Sequence, residues 1–99
     1  MTARLSGAVQ AVRDAITTVA EWPEFAGIGD DDDLVDDLSL DELELEGLGL
    51  ILEELFAITV PEELWSTPLY RTPASLAEWC IRQADLAAEL ELRRQRRRA

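Results

Sequence analysis

Nucleophilic attack, proton transfer and metal binding each need particular side chains, and this 99-residue chain lacks most of them. It has no histidine, no lysine and a single cysteine, Cys80. Cys–His and Ser–His nucleophile pairs are therefore impossible, as is a Schiff-base lysine. Neither a glycine-rich phosphate loop nor a Cys/His cluster for zinc is present. Cys80 falls on the apolar side of the last helical stretch and reads as a small core residue. The run Asp30–Asp33 lacks the alternating D-x-[DN]-x-[DN]-G spacing of a calcium loop, so no dedicated metal site is expected. With 21 acids in the chain, carboxylate pairs arise through abundance alone. No enzymatic activity is expected. One spacing stands out, because Ser39-Leu40-Asp41-Glu42 matches the S-x-x-E capping box. The serine oxygen takes an orphan backbone N–H while the glutamate reaches back to the cap residue.

The elements that must position these residues lie between Leu34 and Pro61. Leu45, Leu48, Leu52, Leu55 and Phe56 recur with the period of one helical face. The spacing predicts a helix from Leu40 or Asp41 to Phe56 or Ala57. Asp41, Glu42, Glu44 and Glu46 crowd its first half, where the helix dipole favours negative charge. Gly47 and Gly49 sit mid-helix, each costing roughly 1 kcal/mol relative to alanine. They are either tolerated there or leave room for another backbone to approach. Ile58-Thr59-Val60-Pro61 then ends the helix in extended chain.

This stretch resembles the core of the acyl and peptidyl carrier proteins. Their pattern runs D-L-G-L-D-S-L, then a helix ending L-E-x-x-F, then I-x-I-P. Here it reads Asp37-Leu38-Ser39-Leu40-Asp41-Glu42-Leu43, then Leu52-Glu53-Glu54-Leu55-Phe56, then Ile58-Thr59-Val60-Pro61, without a gap. The resemblance implies an all-α four-helix bundle with a long first loop and a short third helix. It also sets Glu42 where the family's serine carries its 4′-phosphopantetheine arm, and a carboxylate cannot form that phosphodiester. The arm is thus expected to be missing at Glu42, with Ser39 as the alternative attachment point. No cofactor is expected unless that carrier alternative holds. In the family the second helix presents acids and a few apolar residues to basic patches on partner enzymes. By position these are Asp41, Leu43, Glu44, Leu50 and Glu53, while Gly47 falls where many carriers have a glutamate. Glu42 itself either completes the Ser39 capping box or imitates the phosphodiester charge.

Elsewhere the chain is plainer. Leu5, Val9, Val12, Ile16 and Val19 predict an amphipathic first helix over 3–20. Thr17 and Thr18 are weak helix formers and suggest fraying, and Glu21-Trp22-Pro23 stops the helix. The loop to Leu40 is long and needs tying down by Trp22, Phe25, Ile28, Leu34, Val35 and Leu38. Pro61 at a first helical position opens the short third helix. Thr72 as cap and Pro73 after it open the last, which is expected to run to about Leu92. Residues 1–92 thus read as the bundle and 93–99 as a basic, solvated or frayed tail.

Charge separates these parts. Residues 1–92 carry all 21 acids against four arginines, a net of −17, while Arg93, Arg94, Arg96, Arg97 and Arg98 oppose them. Such a surface repels nucleic acid and steers basic proteins. There is no apolar run of membrane-spanning length and no basic-then-apolar leader, and a lone cysteine gives no internal disulfide. The expectation is a cytoplasmic docking or scaffold protein, a monomer or weak homo-oligomer, that binds a basic-patch enzyme of an acyl-carrier-dependent pathway. The alternatives are a working acyl or aminoacyl carrier, or a structural helical bundle that oligomerises through its glycine-bearing helix.

Overall fold

Thr2 starts the first helix by accepting the Leu5 N–H on its hydroxyl at 3.1 Å, which satisfies one of the orphan donors there. From that cap α1 runs Ala3–Ala20, as the apolar spacing predicts, and buries Val9, Val12 and Ile16. Thr17 and Thr18 do not fray it, since their hydroxyls bond back to the carbonyls of Arg13 and Asp14. Glu21 closes it in the left-handed region at φ 55°. A computed structural model describes residues 2–21 and 27–98, so Trp22, Pro23 and Phe25 lie outside the described residues.

The loop is tied down as expected from its remaining apolar residues. Leu34 and Leu38 are buried, and Ile28 and Val35 pack against the core. Asp33 caps a single helical turn by accepting the N–H groups of Val35 and Asp36 at 2.8 and 2.9 Å. The turn closes with the Ser39 N–H on Val35 and the Leu40 N–H on Leu34. This closure turns Ser39 into the left-handed region at φ 55°.

That geometry corrects the predicted helix start. Ser39 ends a turn rather than capping a helix, and α2 runs Glu42–Phe56 with Asp41 as its cap. The capping box is Asp41 with Glu44: the Glu44 N–H reaches Asp41 Oδ1 at 2.8 Å and the Asp41 N–H reaches Glu44 Oε1 at 3.0 Å. Leu40 before the cap and Leu45 four residues after it are both buried, the positions of a hydrophobic staple. Asp41→Ala is expected to lower unfolding stability by about 1 kcal/mol. Ser39→Ala should change it by less than about 0.5 kcal/mol, because that side chain caps nothing. Urea denaturation of the two variants checks the pair.

After α2, Ala57 turns left-handed and the chain extends to Pro61. The short helix expected there is five residues of 3-10 helix, Glu62–Ser66, followed by a second 3-10 turn, Pro68–Tyr70. Leu64 anchors the first in the core, and Tyr70 stacks at a tilt near Trp79. Thr72 and Pro73 open the last helix as predicted, with the Ser75 N–H on the Thr72 hydroxyl at 3.2 Å. This helix, α3, runs Pro73–Arg98 and so passes the expected end at Leu92. Glu89–Arg93 at 2.8 Å and Glu91–Arg94 at 3.8 Å support the added turns, and arginines suit a helix C-terminus.

The protein is therefore all-α, with three α-helices and no strand among the described residues. Its core joins the apolar faces of all three, and α1 packs on both of the others. Arg4 near the start of α1 reaches Asp85 midway along α3, while Arg13 further along α1 pairs with Asp30, whose carbonyl accepts the Ala74 N–H at the start of α3, so these helices run antiparallel. Beyond that pair every residue of α3 is exposed, and the molecule measures 50 × 28 × 22 Å. Among the described residues no helix is long and apolar enough to cross a membrane.

Candidate docking surface

The acids that dominate the sequence separate into two groups once their hydrogen bonds are known. In the loop, Asp30 pairs with Arg13 at 2.7 Å, Asp32 accepts the Gly29 N–H, and Asp37 accepts the Asp33 N–H. The first ties the loop to α1, and the other two stabilise local turns. Among the described residues no three Asp, Glu or Cys side chains converge in a way that would hold a metal ion.

Asp33 also anchors the loop across the molecule. Arg71 lies 3.5 Å from it and 3.8 Å from Asp36, while the Arg71 carbonyl accepts the Leu34 N–H at 2.7 Å. Burial pushes the Asp33 carboxyl up. The backbone N–H groups of Asp36 and Val35 and the Arg71 guanidinium outweigh it and hold the group below its ordinary value. Asp33 therefore stabilises the fold above its unfolded value of about 3.9, and this contribution is lost as pH falls through the lower folded value. Arg71→Met is expected to cost about 1–2 kcal/mol near neutral pH. It should also flatten the acid limb of a urea-midpoint profile measured between neutrality and roughly pH 3.

On α2 the positions singled out by sequence diverge. Asp41 and Glu44 are held in the capping box, and Glu53 Oε2 accepts the Val60 N–H at 2.8 Å to secure the exit from the helix. These three carboxylates have structural partners. Leu43 and Leu50 do not, being 78% and 62% exposed. Two turns of helical spacing link them across Gly47, and Glu46 and Glu54 stand exposed on the same face. Glu42 is exposed at the first helical position, at the positive end of the helix dipole. The face thus consists of two bare leucines bordered by Glu42, Glu46 and Glu54. Glu46 and Glu54 were missed as site residues, although the helical period counted outward from Leu43 leads to both.

Among the described residues the nearest neighbours of the α2 glycines are side chains rather than another backbone. A Cβ at Gly47 would lie 3.4 Å from the Val19 side chain, and one at Gly49 3.5 Å from Val60 and 3.6 Å from Trp65. Gly49 is buried within the chain's own fold. Ser39 is exposed beside the start of α2, and Cys80 is fully buried with its thiol pushed up to about 12 by desolvation. The outer face of α2 is thus exposed and acidic, with two bare leucines. Comparison with protein families, with curated proteins and with solved structures finds no match for this chain.

Proposed function

We propose that this chain is a carrier-protein-like docking domain that binds a basic patch on a partner enzyme through the outer face of α2. The observation that carries the reading is the exposed pair Leu43 and Leu50, bordered by Glu42, Glu46 and Glu54. Apolar anchors within a charged rim suit a partner that offers an apolar recess among arginines and lysines. The rim then sets encounter rate and partner choice, and the leucines supply the contact energy. The uninterrupted carrier-like pattern from Asp37 to Pro61 supports a bundle of the carrier type, with the 3-10 segment Glu62–Ser66 in the place of its short third helix. We further infer a cytoplasmic scaffold or regulatory subunit of an acyl-carrier-dependent pathway.

A 4′-phosphopantetheine arm does not fit at Glu42, which has no hydroxyl to esterify. Its carboxylate places a fixed negative charge at the helix start, where a carrier holds its phosphodiester. A working carrier with Ser39 as its attachment point is favoured by one observation, the exposure of that serine in a left-handed turn.

Intact mass after incubation with a promiscuous phosphopantetheinyl transferase and coenzyme A tests the reading. The native chain should stay unmodified, and Glu42→Ser should gain one arm. An arm on the native chain at Ser39 would overturn the proposal in favour of a working carrier. If neither chain reacts, the carrier-type reading itself loses its support.

A further inference from the structure

Among the described residues nothing inside the fold requires Gly47. In mid-helix it costs roughly 1 kcal/mol relative to alanine. A Cβ there would meet only the Val19 side chain, at 3.4 and 4.0 Å. Gly49, by contrast, is buried against Val60 and Trp65. Gly47 is half-exposed on the outer face of α2, with Leu43 one turn before it and Leu50 one turn after it. Its missing side chain therefore shapes the surface rather than the core.

Where two helices pack, a side chain of one enters a hole formed by four residues of the other, spaced i, i+3, i+4 and i+7. Leu43, Glu46, Gly47 and Leu50 frame such a hole, and Gly47, Leu50, Ile51 and Glu54 frame the next. Gly47 is a corner of both. With no side chain at the shared corner, the two holes open into one trough walled by Leu43, Leu50 and the half-buried Ile51. Such a trough admits a larger side chain than an ordinary hole and lets a second helix approach more closely. Carboxylates edge it, with Glu42 and Glu46 a turn apart along one flank and Glu54 at the far end. Among the described residues these three acids have no ion-pair partner.

We propose, resting on the docking reading of α2, that its outer face takes a basic amphipathic helix of the partner, which inserts one large apolar side chain over Gly47. A flat basic patch would leave the trough empty. A helix fills it, because the grooves on either side of its inserted side chain receive Leu43 and Leu50. Lysines or arginines one turn to either side of that side chain then meet Glu46 and Glu54. A helix with acids at those positions is refused by like charge.

Fluorescence anisotropy tests this with a stapled helical peptide that carries a central phenylalanine and a lysine one turn to either side. The native chain should bind it. Replacing the phenylalanine by alanine should weaken binding at least roughly tenfold, equivalent to about 1.4 kcal/mol. Gly47→Leu separates a trough from a merely apolar surface by sign. It adds apolar area to the face, so an unspecific surface would bind the peptide more tightly. A filled trough should bind it at least roughly tenfold more weakly. The melting temperature of Gly47→Leu should not fall, since the Cβ has room beside Val19 and helix propensity rises. Binding unchanged or tightened by Gly47→Leu, or indifferent to the phenylalanine, would overturn the proposal. So would no binding at about 1 mM peptide. In each of those cases arm transfer to Glu42→Ser shows whether the docking reading falls as well. Transfer that still depends on Leu43 and Leu50 keeps the face and removes only the helix, whereas transfer indifferent to both leucines removes the two together.

Discussion

Leu48→Ala is expected to lower the unfolding free energy by about 3–4 kcal/mol, a large part of the 5–15 kcal/mol usual for a domain. Leu48 is fully buried on the inner face of α2, between Leu45 and Leu52. Such losses grow with the cavity that remains, so the question is whether α2 can settle inward. The helix surface at Gly49 already lies close to Val60 and Trp65, with only van der Waals distance left for an added Cβ. Inward settling of the helix on that side is therefore limited to the room one methyl group needs, and most of the space left by Leu48 stays open. The same geometry predicts the opposite sign next door. Gly49→Ala places a methyl group in ordinary contact and gains helix propensity, so it should stabilise by about 0.5–1 kcal/mol. Thermal and urea unfolding of the two variants measure both. A Gly49→Ala loss as large as that of Leu48→Ala would mean the helix lies closer to its neighbours than these distances allow.

What was legible in the sequence follows from how local each signal is. The bounds of α1 and the start of α3 rest on apolar spacing and on Thr72-Pro73, interactions within a few residues, and both stand. The start of α2 was misplaced because Ser39 with Glu42 fits the capping pattern, while the overlapping pair Asp41 with Glu44, which forms the box, went unrecognised. Burial of Leu34, Leu38 and Leu40 decides between them, since their turn closes through Ser39 and leaves Asp41 first in line for the helix. The end of α3 was missed for the converse reason. Hydrophobic periodicity stops near Leu92, but a helix already nucleated in the core continues through Arg, Glu and Gln without burial.

The proposed docking face shows the same division. Leu43 and Leu50 were identified and are bare. The role of Glu53 depends on Val60, seven residues away and beyond the helix exit, so no helical spacing reveals it. Abundance hid the rest, because acids that hold turns and acids that face solvent look alike until their partners are known.

That division gives the surface prediction its force. In a Glu42→Ser background the phosphopantetheinyl transferase serves as a defined partner, and arm transfer reports docking. Leu43→Glu with Leu50→Glu should lower kcat/KM for transfer roughly 100-fold, about 2.7 kcal/mol of lost contact and added desolvation. Both side chains lie in solvent, so the melting temperature should stay within a degree or two of the parent. Glu46→Gln with Glu54→Gln should cost only a few-fold and reduce the salt dependence of the rate, as rim charges do. Asp41→Ala and Glu53→Gln should act through stability, lowering the melting temperature while leaving kcat/KM close to the parent at temperatures where the chain is folded. The reverse pattern, with Glu53 governing transfer and the leucines silent, would require the Glu53–Val60 contact to open on binding. In that case the exit from α2, rather than its outer face, would be the surface the partner reads.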